Sequence, residues 1–248
     1  MPSAIMTMGT KAAPDPLTQP ESMVESNGNG QDFLRLLSWV SPAFPTGGFA
    51  YSHALEWAVE TGDITALDSL VDWISALLAY GSLRVDMIFV RHAWLAGQDI
   101  RQLEDIAAYA CACASSRERH EESVYQGEAF LKAASVWDDS LVLARNPATR
   151  WPLPVAQGAV FRRGGAHAQQ AVQAAGHMAV AALVSAAVRL VPLGQTDGLR
   201  AQARLESAIL EAARQTEQCG LDDVGTACFR SDLAAMHHET QGTRLFRT

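Results

Sequence analysis

Residues 65–80 of the chain read TALDSLVDWISALLAY. The apolar side chains of this stretch recur at spacings of three and four residues, which places them on one face of an α-helix. The members of that face are Leu67, Leu70, Val71, Ile74, Leu77 and Leu78. Thr65 is positioned to cap the start of this helix, and Gly81 to kink or end it. The stretch therefore predicts an amphipathic helix that packs against a hydrophobic core.

The same helical periodicity extends over almost all of the chain after residue 31. Before residue 65 it predicts a second helix closed by Gly62 and a first helix with one apolar stripe, formed by Phe33, Leu34, Leu36, Leu37 and Val40. After residue 80 it predicts helices at about 83–96, 101–116, 117–136, 153–162, 167–190, 198–216 and 230–239. Alternating β patterns of useful length are absent. We therefore predict an all-α fold, a single-domain bundle of about ten helices.

The first 31 residues differ in composition from the rest of the chain. They are polar and rich in Pro, Gly, Ser and Asn. Such a segment buries too little apolar surface to offset the entropy lost on ordering. No later stretch has the composition of a linker. We expect a flexible leader at residues 1–31 and one all-α domain at residues 32–248.

Composition and charge exclude several functional classes. The chain of 248 residues has 19 Lys and Arg against 27 Asp and Glu, and a formal net charge of −8 does not favour binding to nucleic acid or to an anionic membrane. Neither lysine, Lys11 or Lys132, follows a glycine, which excludes a P-loop nucleotidase. The most apolar stretch, residues 178–188, is too short to span a bilayer. Four Cys do not form a disulfide scaffold, and we expect a cytoplasmic protein.

Sequence spacings typical of a metal centre or a catalytic nucleophile are absent. None of the seven His has an acidic residue three positions before it, and the His-Glu-x-x-His pattern does not occur. On a helix, Cys111 and Cys113 would point in different directions. Adventitious metal binding at His237 and His238 stays open, as does a catalytic site assembled only in the folded chain. We predict no catalytic residues, no cofactor and no metal ligands.

Three segments carry more unusual chemistry than helix packing requires. The first, residues 41–52, reads SPAFPTGGFAYS. Its prolines fix φ, and Gly47 and Gly48 allow backbone conformations that other residues rarely adopt. Phe49 and Tyr51 follow the glycines directly. The pattern indicates a shaped loop, which is either a tight turn between helices or a binding loop.

The second segment, residues 185–198, reads SAAVRLVPLGQTDG. Arg189 follows an Ala- and Val-rich run, where its charge complements the C-terminal dipole of a helix. Pro192 and Gly194 end that helix. Its small side chains allow another helix to approach closely. The partner helix is either internal or belongs to a second copy of the chain.

The third segment is the C-terminus, where residues 236–248 read MHHETQGTRLFRT. Leu245 and Phe246 are unusual there, because chain termini normally fray and carry no apolar anchors. Arg and Phe are also favoured anchors in interface cores. The tail packs either on its own domain or on a partner. We favour a partner, because only Gly242 and Thr243 precede the anchors to carry the chain back, and we assign a partner-binding tail to residues 240–248.

In this order, the three segments resemble the UreF family of urease accessory proteins. The family pattern Ser-Pro-x-x-Pro-x-Gly-Gly-Phe-x-Tyr-Ser-x-x-Leu-Glu is matched at residues 41–56. Ala-x-x-Arg-Leu-x-Pro-Leu-Gly-Gln is matched at residues 186–195, and His-Glu-x-Gln-x-x-Arg-Leu-Phe at residues 238–246. A weaker likeness covers residues 118–130. One departure is Ala54, where the family usually has Gly.

The resemblance implies an all-α protein that is not an enzyme. UreF-like proteins dimerise and bind the accessory protein UreD, called UreH in some species, and the complex recruits the GTPase UreG and delivers nickel to apo-urease. Modulation of the UreG GTPase would be compatible with this role. The resemblance assigns partner binding to these residues: Pro45, Gly47, Gly48, Phe49, Tyr51, Ser52, Glu56, Arg189, Pro192, Gly194, Gln195, His238, Gln241, Arg244, Leu245 and Phe246.

The same resemblance implies a division of labour between the segments. The tail would become ordered in the complex with UreD or UreH, while residues 41–56 and the helix around Arg189 would shape the dimer and the UreG platform. Three other interpretations stay open: an all-α enzyme, a helical adaptor of an unrelated complex, and a nickel metallochaperone that uses His237 and His238.

Overall fold

The computed structural model describes residues 22–247, without the side chains of residues 22–29 and 143. Within that range the regular elements are α-helices and three short 3₁₀ turns, at Gly48–Ala50, Thr216–Gln218 and Leu221–Asp223. The α-helices are α1 (Ser22–Trp39), α2 (Leu55–Glu60), α3 (Leu67–Tyr80), α4 (Ser82–Ala96), α5 (Ile100–Ala112), α6 (Arg117–Ala134), α7 (Ser140–Ala144), α8 (Leu153–Arg163), α9 (Ala168–Leu190), α10 (Gln195–Gln215) and α11 (Phe229–His238). The prediction of an all-α, single-domain bundle is confirmed.

Helix α4 lies at the centre of the bundle, between α8 and α9. Helix α10 packs against α9 and α3, and α6 packs against α8. Glycines allow two of these close approaches. A Cβ added to Gly158 on α8 would lie 2.3 Å from the carbonyl oxygen of Val90 on α4, and one added to Gly127 on α6 would lie 2.0 Å from that of Trp151. Both distances are far below van der Waals contact, so these helix pairs are in contact through their backbones.

The start of α3 differs from the sequence prediction. Its N-cap is Ala66, not Thr65, and Ala66 has an extended backbone and no side-chain acceptor. Ser69 compensates from inside the first turn, because its hydroxyl oxygen accepts from the backbone N–H groups of Thr65 and Ala66 at 3.0 and 3.1 Å. At the other end α3 stops before Gly81, and α3 and α4 are bent by 43° at that point.

Helix α9 is longer and more apolar than its central stretch alone suggests. Its 23 residues have a mean hydropathy of 1.6 over the most apolar window, enough by length and composition to cross a membrane. The bent pair α3 and α4 meets the same criterion when it is taken as one span. Half of the α9 window is buried against the rest of the bundle, mainly α10 and α4. This burial is typical of a core helix.

The first helix contradicts the predicted apolar stripe. Of its five members, only Leu36 is buried, whereas Phe33, Leu34 and Leu37 are exposed. The helix is anchored instead through Trp39, whose ring lies 5.9 Å from that of Trp137. In the described part of the chain, Phe33, Leu34 and Leu37 therefore do not belong to the core.

The predicted leader overlaps this helix. The backbone is helical from Ser22 onward, so α1 starts before the predicted end of the leader at residue 31. The remaining part of the leader, residues 1–21, lies outside the described residues.

Candidate functional site

The three segments that the sequence singled out meet at one surface of the bundle. They are far apart in the chain, and each contributes at least one aromatic, arginine or carboxylate side chain to the contact. We name them the proline–glycine segment (residues 41–56), the Arg189 segment (residues 185–195) and the C-terminal tail (residues 238–247).

Arg189 joins all three segments. Its Nη1 donates a hydrogen bond to the carbonyl oxygen of Phe49 at 2.9 Å, and its Nε donates to that of Ser185 at 3.2 Å. The guanidinium carbon lies 3.8 Å from the ring centroid of Phe49 and 4.3 Å from that of Phe246. Both distances are within cation–π range. Burial lowers the pKa of the Arg189 guanidinium from its usual value.

Left-handed backbone shapes the proline–glycine segment. Gly47 has φ 76°, and the turn that follows leaves Pro45 exposed and Phe49 74% exposed. Positive φ recurs at His53 (57°) and Ala54 (62°), where a side chain is sterically unfavourable. The position of Ala54 is therefore one at which glycine would relieve strain.

Behind this surface lies a buried cluster of charged and polar groups. His238 at the end of α11 is 0% exposed, with Nδ1 2.7 Å from Oε2 of Glu118 and Nε2 3.4 Å from Oε2 of Glu56. Arg244 donates to the other oxygen of Glu118 at 2.6 Å. The two buried carboxylates are thus compensated by a guanidinium group and an imidazole ring, as buried charges require. Glu118 was not among the predicted site residues, and its signal was the weaker likeness at residues 118–130.

The main chain of the tail is hydrogen-bonded to one of these two carboxylates, that of Glu56. Glu56 accepts from the backbone N–H of Leu245 at 2.5 Å and from that of Phe246 at 3.0 Å. The backbone N–H of Arg247 donates to the carbonyl oxygen of Ala50 at 2.9 Å. Phe246 is only 5% exposed, whereas Leu245 is 66% exposed. The tail therefore packs on its own domain.

The sequence analysis favoured a tail that docks into a partner; in this structure the tail packs on its own domain, and its binding to a partner stays a prediction. We had expected Gly242 and Thr243 to be too short a connection to carry the chain back. A short connection is sufficient, because α11 ends with His238 beneath the proline–glycine segment. The chain then turns at Gln241, whose side-chain amide donates to Glu60 on α2 at 2.5 Å.

The remaining predicted residues lie outside this cluster or support it from below. Pro192, Gly194 and Gln195 lie at the junction of α9 and α10, and in the described part of the chain no hydrogen bond, ion pair or ring contact joins them to the tail. Ser52 is buried, and its hydroxyl oxygen accepts from the backbone N–H of Glu56 at 3.4 Å, which supports the start of α2.

A cavity of about 90 Å³ lies beneath the proline–glycine segment. Gly48, Tyr51 and His53 form part of its wall, and α4, α6, α8 and α9 form the rest. Its polar lining was not predicted from the sequence, since the residues are widely spaced along the chain. The polar members are Tyr51, His53, Asp86, Arg119, Glu122, Ser123, Gln126 and Gln157.

Some of the charged side chains in this cavity form an ion pair with each other, and one carboxylate does not. Arg119 and Glu122 form an ion pair, and Glu122 also accepts from Gln126 at 3.2 Å. Burial raises the pKa of Asp86 to about 6, partly opposed by Arg119 and reinforced by Glu122. Burial and the nearby Arg119 charge hold the pKa of His53 well below its usual value, and its Nε2 lies 2.7 Å from the hydroxyl of a serine on α4. Across the described residues, no three His, Cys, Asp or Glu side chains are placed to hold a metal ion.

Comparisons with known proteins point to one family. The family model UreF matches residues 64–206. A protein of Bradyrhizobium diazoefficiens named urease accessory protein UreF is 46% identical over 219 residues, which cover 86% of this chain and 90% of the relative. Proteins of the same name from Rhodopseudomonas palustris and Agrobacterium fabrum are 41% and 45% identical, and the matches cover 97% and 87% of this chain and 100% and 96% of the relatives.

Proposed function

The chain belongs to the UreF family of urease accessory proteins, and from this membership we propose that it is a scaffold for assembly of the urease nickel centre. Its relatives are named accessory proteins, so the prediction that the chain is not itself an enzyme is confirmed. In the proposed role it forms a homodimer in the cytoplasm, binds UreD or UreH, and recruits the GTPase UreG to deliver nickel to apo-urease.

The observation that supports a binding role is the convergence of the three segments around Arg189. Arg189 contacts the rings of Phe49 and Phe246, and two side chains of this cluster, those of Phe49 and the neighbouring Leu245, are exposed and apolar. Aromatic and arginine side chains are enriched among residues that dominate binding energy. A cluster held by buried hydrogen bonds also presents them in a fixed geometry, which lowers the entropic cost of association.

We assign the surface around Phe49 and Leu245 to UreD or UreH. In this proposal the tail is already packed on its own domain before UreD or UreH binds. The resemblance instead implied a tail that becomes ordered in the complex. The helix around Arg189, with Pro192, Gly194 and Gln195 at its end, is proposed to shape the dimer and the UreG platform.

Co-expression of the chain with UreD or UreH and UreG tests this proposal. We expect affinity purification followed by multi-angle light scattering to yield a discrete complex with two copies of each protein. The double variant Phe49→Ala/Leu245→Ala should retain its helical circular dichroism and lose at least tenfold in affinity for UreD or UreH, because both truncated side chains are largely exposed in the free chain.

The matched control is Leu95→Ala, which removes a side chain of similar exposure at the end of α4. It should bind as the unmodified chain does. Equal binding by the double variant and the control would exclude the surface around Phe49 and Leu245 as the docking site. If the chain binds neither UreD or UreH nor UreG, the proposed scaffold function is wrong.

A further inference from the structure

We propose that the cavity beneath the proline–glycine segment binds a small organic cation with N–H donors, an ammonium or guanidinium group. The cavity combines hydrogen-bond acceptors with a net negative charge in a largely apolar wall. The inference concerns this chain alone and does not depend on the partners proposed above.

The negative charge comes from Asp86. Its carboxylate has no hydrogen bond and no ion pair within 4 Å in the part of the chain that the structure describes. The other charged side chains of the lining, Arg119 and Glu122, neutralise each other. His53 is uncharged at neutral pH, since burial disfavours its protonated form. One uncompensated carboxylate therefore remains, and an unpaired charge in such a setting favours a cationic ligand.

The remaining polar groups suit a ligand that donates hydrogen bonds. Gln157 is buried, and its side-chain nitrogen is in contact with the sulfur of Met178 at 3.1 Å. Sulfur is a weak acceptor for the amide N–H, and within the described residues no hydrogen bond reaches the amide oxygen of Gln157, which can therefore accept from a ligand. Together with Gln126 and Tyr51, Gln157 adds neutral oxygen acceptors to the carboxylate of Asp86.

Size and ligand number favour an organic cation over a metal ion. Within the described residues no set of three metal-ligating side chains converges. A volume of about 90 Å³ has room for a group of several heavy atoms. Leu83, Met87 and Val90 provide an apolar wall for the methylene groups that accompany an amine or guanidine.

The cavity is accessible from one side. Ala182 on α9 belongs to its lining and is exposed to solvent, whereas Gln157 at the inner wall is buried. Asp86 is partly exposed and lies between these extremes. A cation that enters past Ala182 can therefore reach the carboxylate without unfolding of the bundle.

The proposal predicts a defined pH dependence. Burial raises the pKa of Asp86 to about 6, with Arg119 and Glu122 of α6 as the charged groups that face it and His53 as the other titratable group of the lining. The carboxylate is almost fully ionised at pH 7.5 and mostly protonated at pH 5. We therefore expect affinity for the cation to be about tenfold higher at pH 7.5 than at pH 5.

Methyl NMR of the full chain labelled at methionine tests binding directly. Met87 and Met178 line the cavity, while the chain has seven Met in all. Titration with methylguanidinium or n-butylammonium should shift these two methyl signals saturably, with a dissociation constant of about 1 mM. Tetramethylammonium has the same charge and no N–H donor, and it should bind at least tenfold more weakly.

Three variants separate the site from general electrostatic attraction. Asp86→Asn should weaken methylguanidinium binding at least tenfold and abolish its pH dependence. Asp72→Asn, an exposed aspartate on α3, should bind as the unmodified chain does. Ala182→Trp places a large side chain at the exposed rim, where it does not disturb the core, and should also block binding.

The source of the cation is resolved by one further ligand. If a partner supplies an arginine side chain, Nα-acetylarginine methylamide should bind at least as tightly as methylguanidinium. If the natural ligand is a free small molecule, the amide should be excluded while methylguanidinium still binds. Absence of saturable shifts at Met87 and Met178, or unchanged affinity in folded Asp86→Asn, would overturn the proposal.

Discussion

Truncation of Phe246 to alanine measures how firmly the tail is held on its own domain. The ring is 5% exposed, and full burial of a phenylalanine side chain contributes about 1.5–3 kcal/mol. Its cation–π contact with Arg189, 4.3 Å from guanidinium carbon to ring centroid, adds about 0.5–1 kcal/mol. We expect Phe246→Ala to lower the free energy of unfolding by about 3 kcal/mol, which lowers the melting temperature of a domain of this size by about 6–12 °C.

The neighbouring residue provides a matched control. Leu245 is 66% exposed, so Leu245→Ala should change the free energy of unfolding by no more than about 0.5 kcal/mol. Urea and thermal unfolding followed by far-UV circular dichroism measure both variants. Deletion of residues 240–248 should lower the free energy of unfolding at least as much as Phe246→Ala does. The deletion removes the whole free energy of tail packing, whereas a substitution in a tail that can detach locally cannot remove more than that. If all three proteins melt like the unmodified chain, the tail is not packed on its own domain in solution.

Three further predictions test other parts of the structure. Gly158→Ala adds a methyl group 2.3 Å from the carbonyl oxygen of Val90, and it should destabilise the fold by at least about 3 kcal/mol in urea unfolding. Because burial raises the pKa of Asp86 to about 6 from 3.8, its ionisation costs stability as pH rises through that interval. Asp86→Asn should therefore stabilise the chain by about 1–2 kcal/mol at pH 8, a value reduced for partial solvent screening, and have no effect at pH 3. Arg189→Ala should weaken self-association in sedimentation velocity, and an unchanged profile would remove this residue from the proposed dimer surface.

Local sequence patterns predicted most of the helices, because most of them bury a stripe of apolar side chains that repeats at helical spacing. In α3, five of the six predicted face residues are buried, and Leu67 is partly buried against the core. The cap of the same helix was wrong for a local reason. Thr65 is a good capping residue type, but the helix begins one residue later. The Ser69 hydroxyl oxygen accepts from the backbone N–H groups of Thr65 and Ala66 ahead of the helix, and periodicity carries no information about that arrangement.

Contacts between distant segments could not be predicted from the residues alone. The apolar stripe of α1 has the right spacing for burial, yet of its members only Leu36 is buried, and Phe33 and Leu34 are exposed. The tail carried a correct signal, since Phe246 is a buried anchor, but the acceptor that holds it is Glu56, 190 positions earlier in the chain. Its companion Glu118 had only the weaker likeness at residues 118–130 as a sequence signal, and the packing of α6 against α11 brings it to His238.

The backbone anchoring of the tail to Glu56 has a consequence for which substitutions the tail tolerates. The Glu56 carboxylate accepts the N–H groups of two consecutive residues, so it fixes the position of the tail through main-chain atoms and not through the side chains. Packing of the tail on its own domain therefore does not depend on the side chain at position 245, while position 246 needs a large apolar side chain. A reporter group attached to the cysteine of Leu245→Cys should leave the tail packed on its domain, because the side chain at this position is largely exposed. Its signal would then report detachment of the tail.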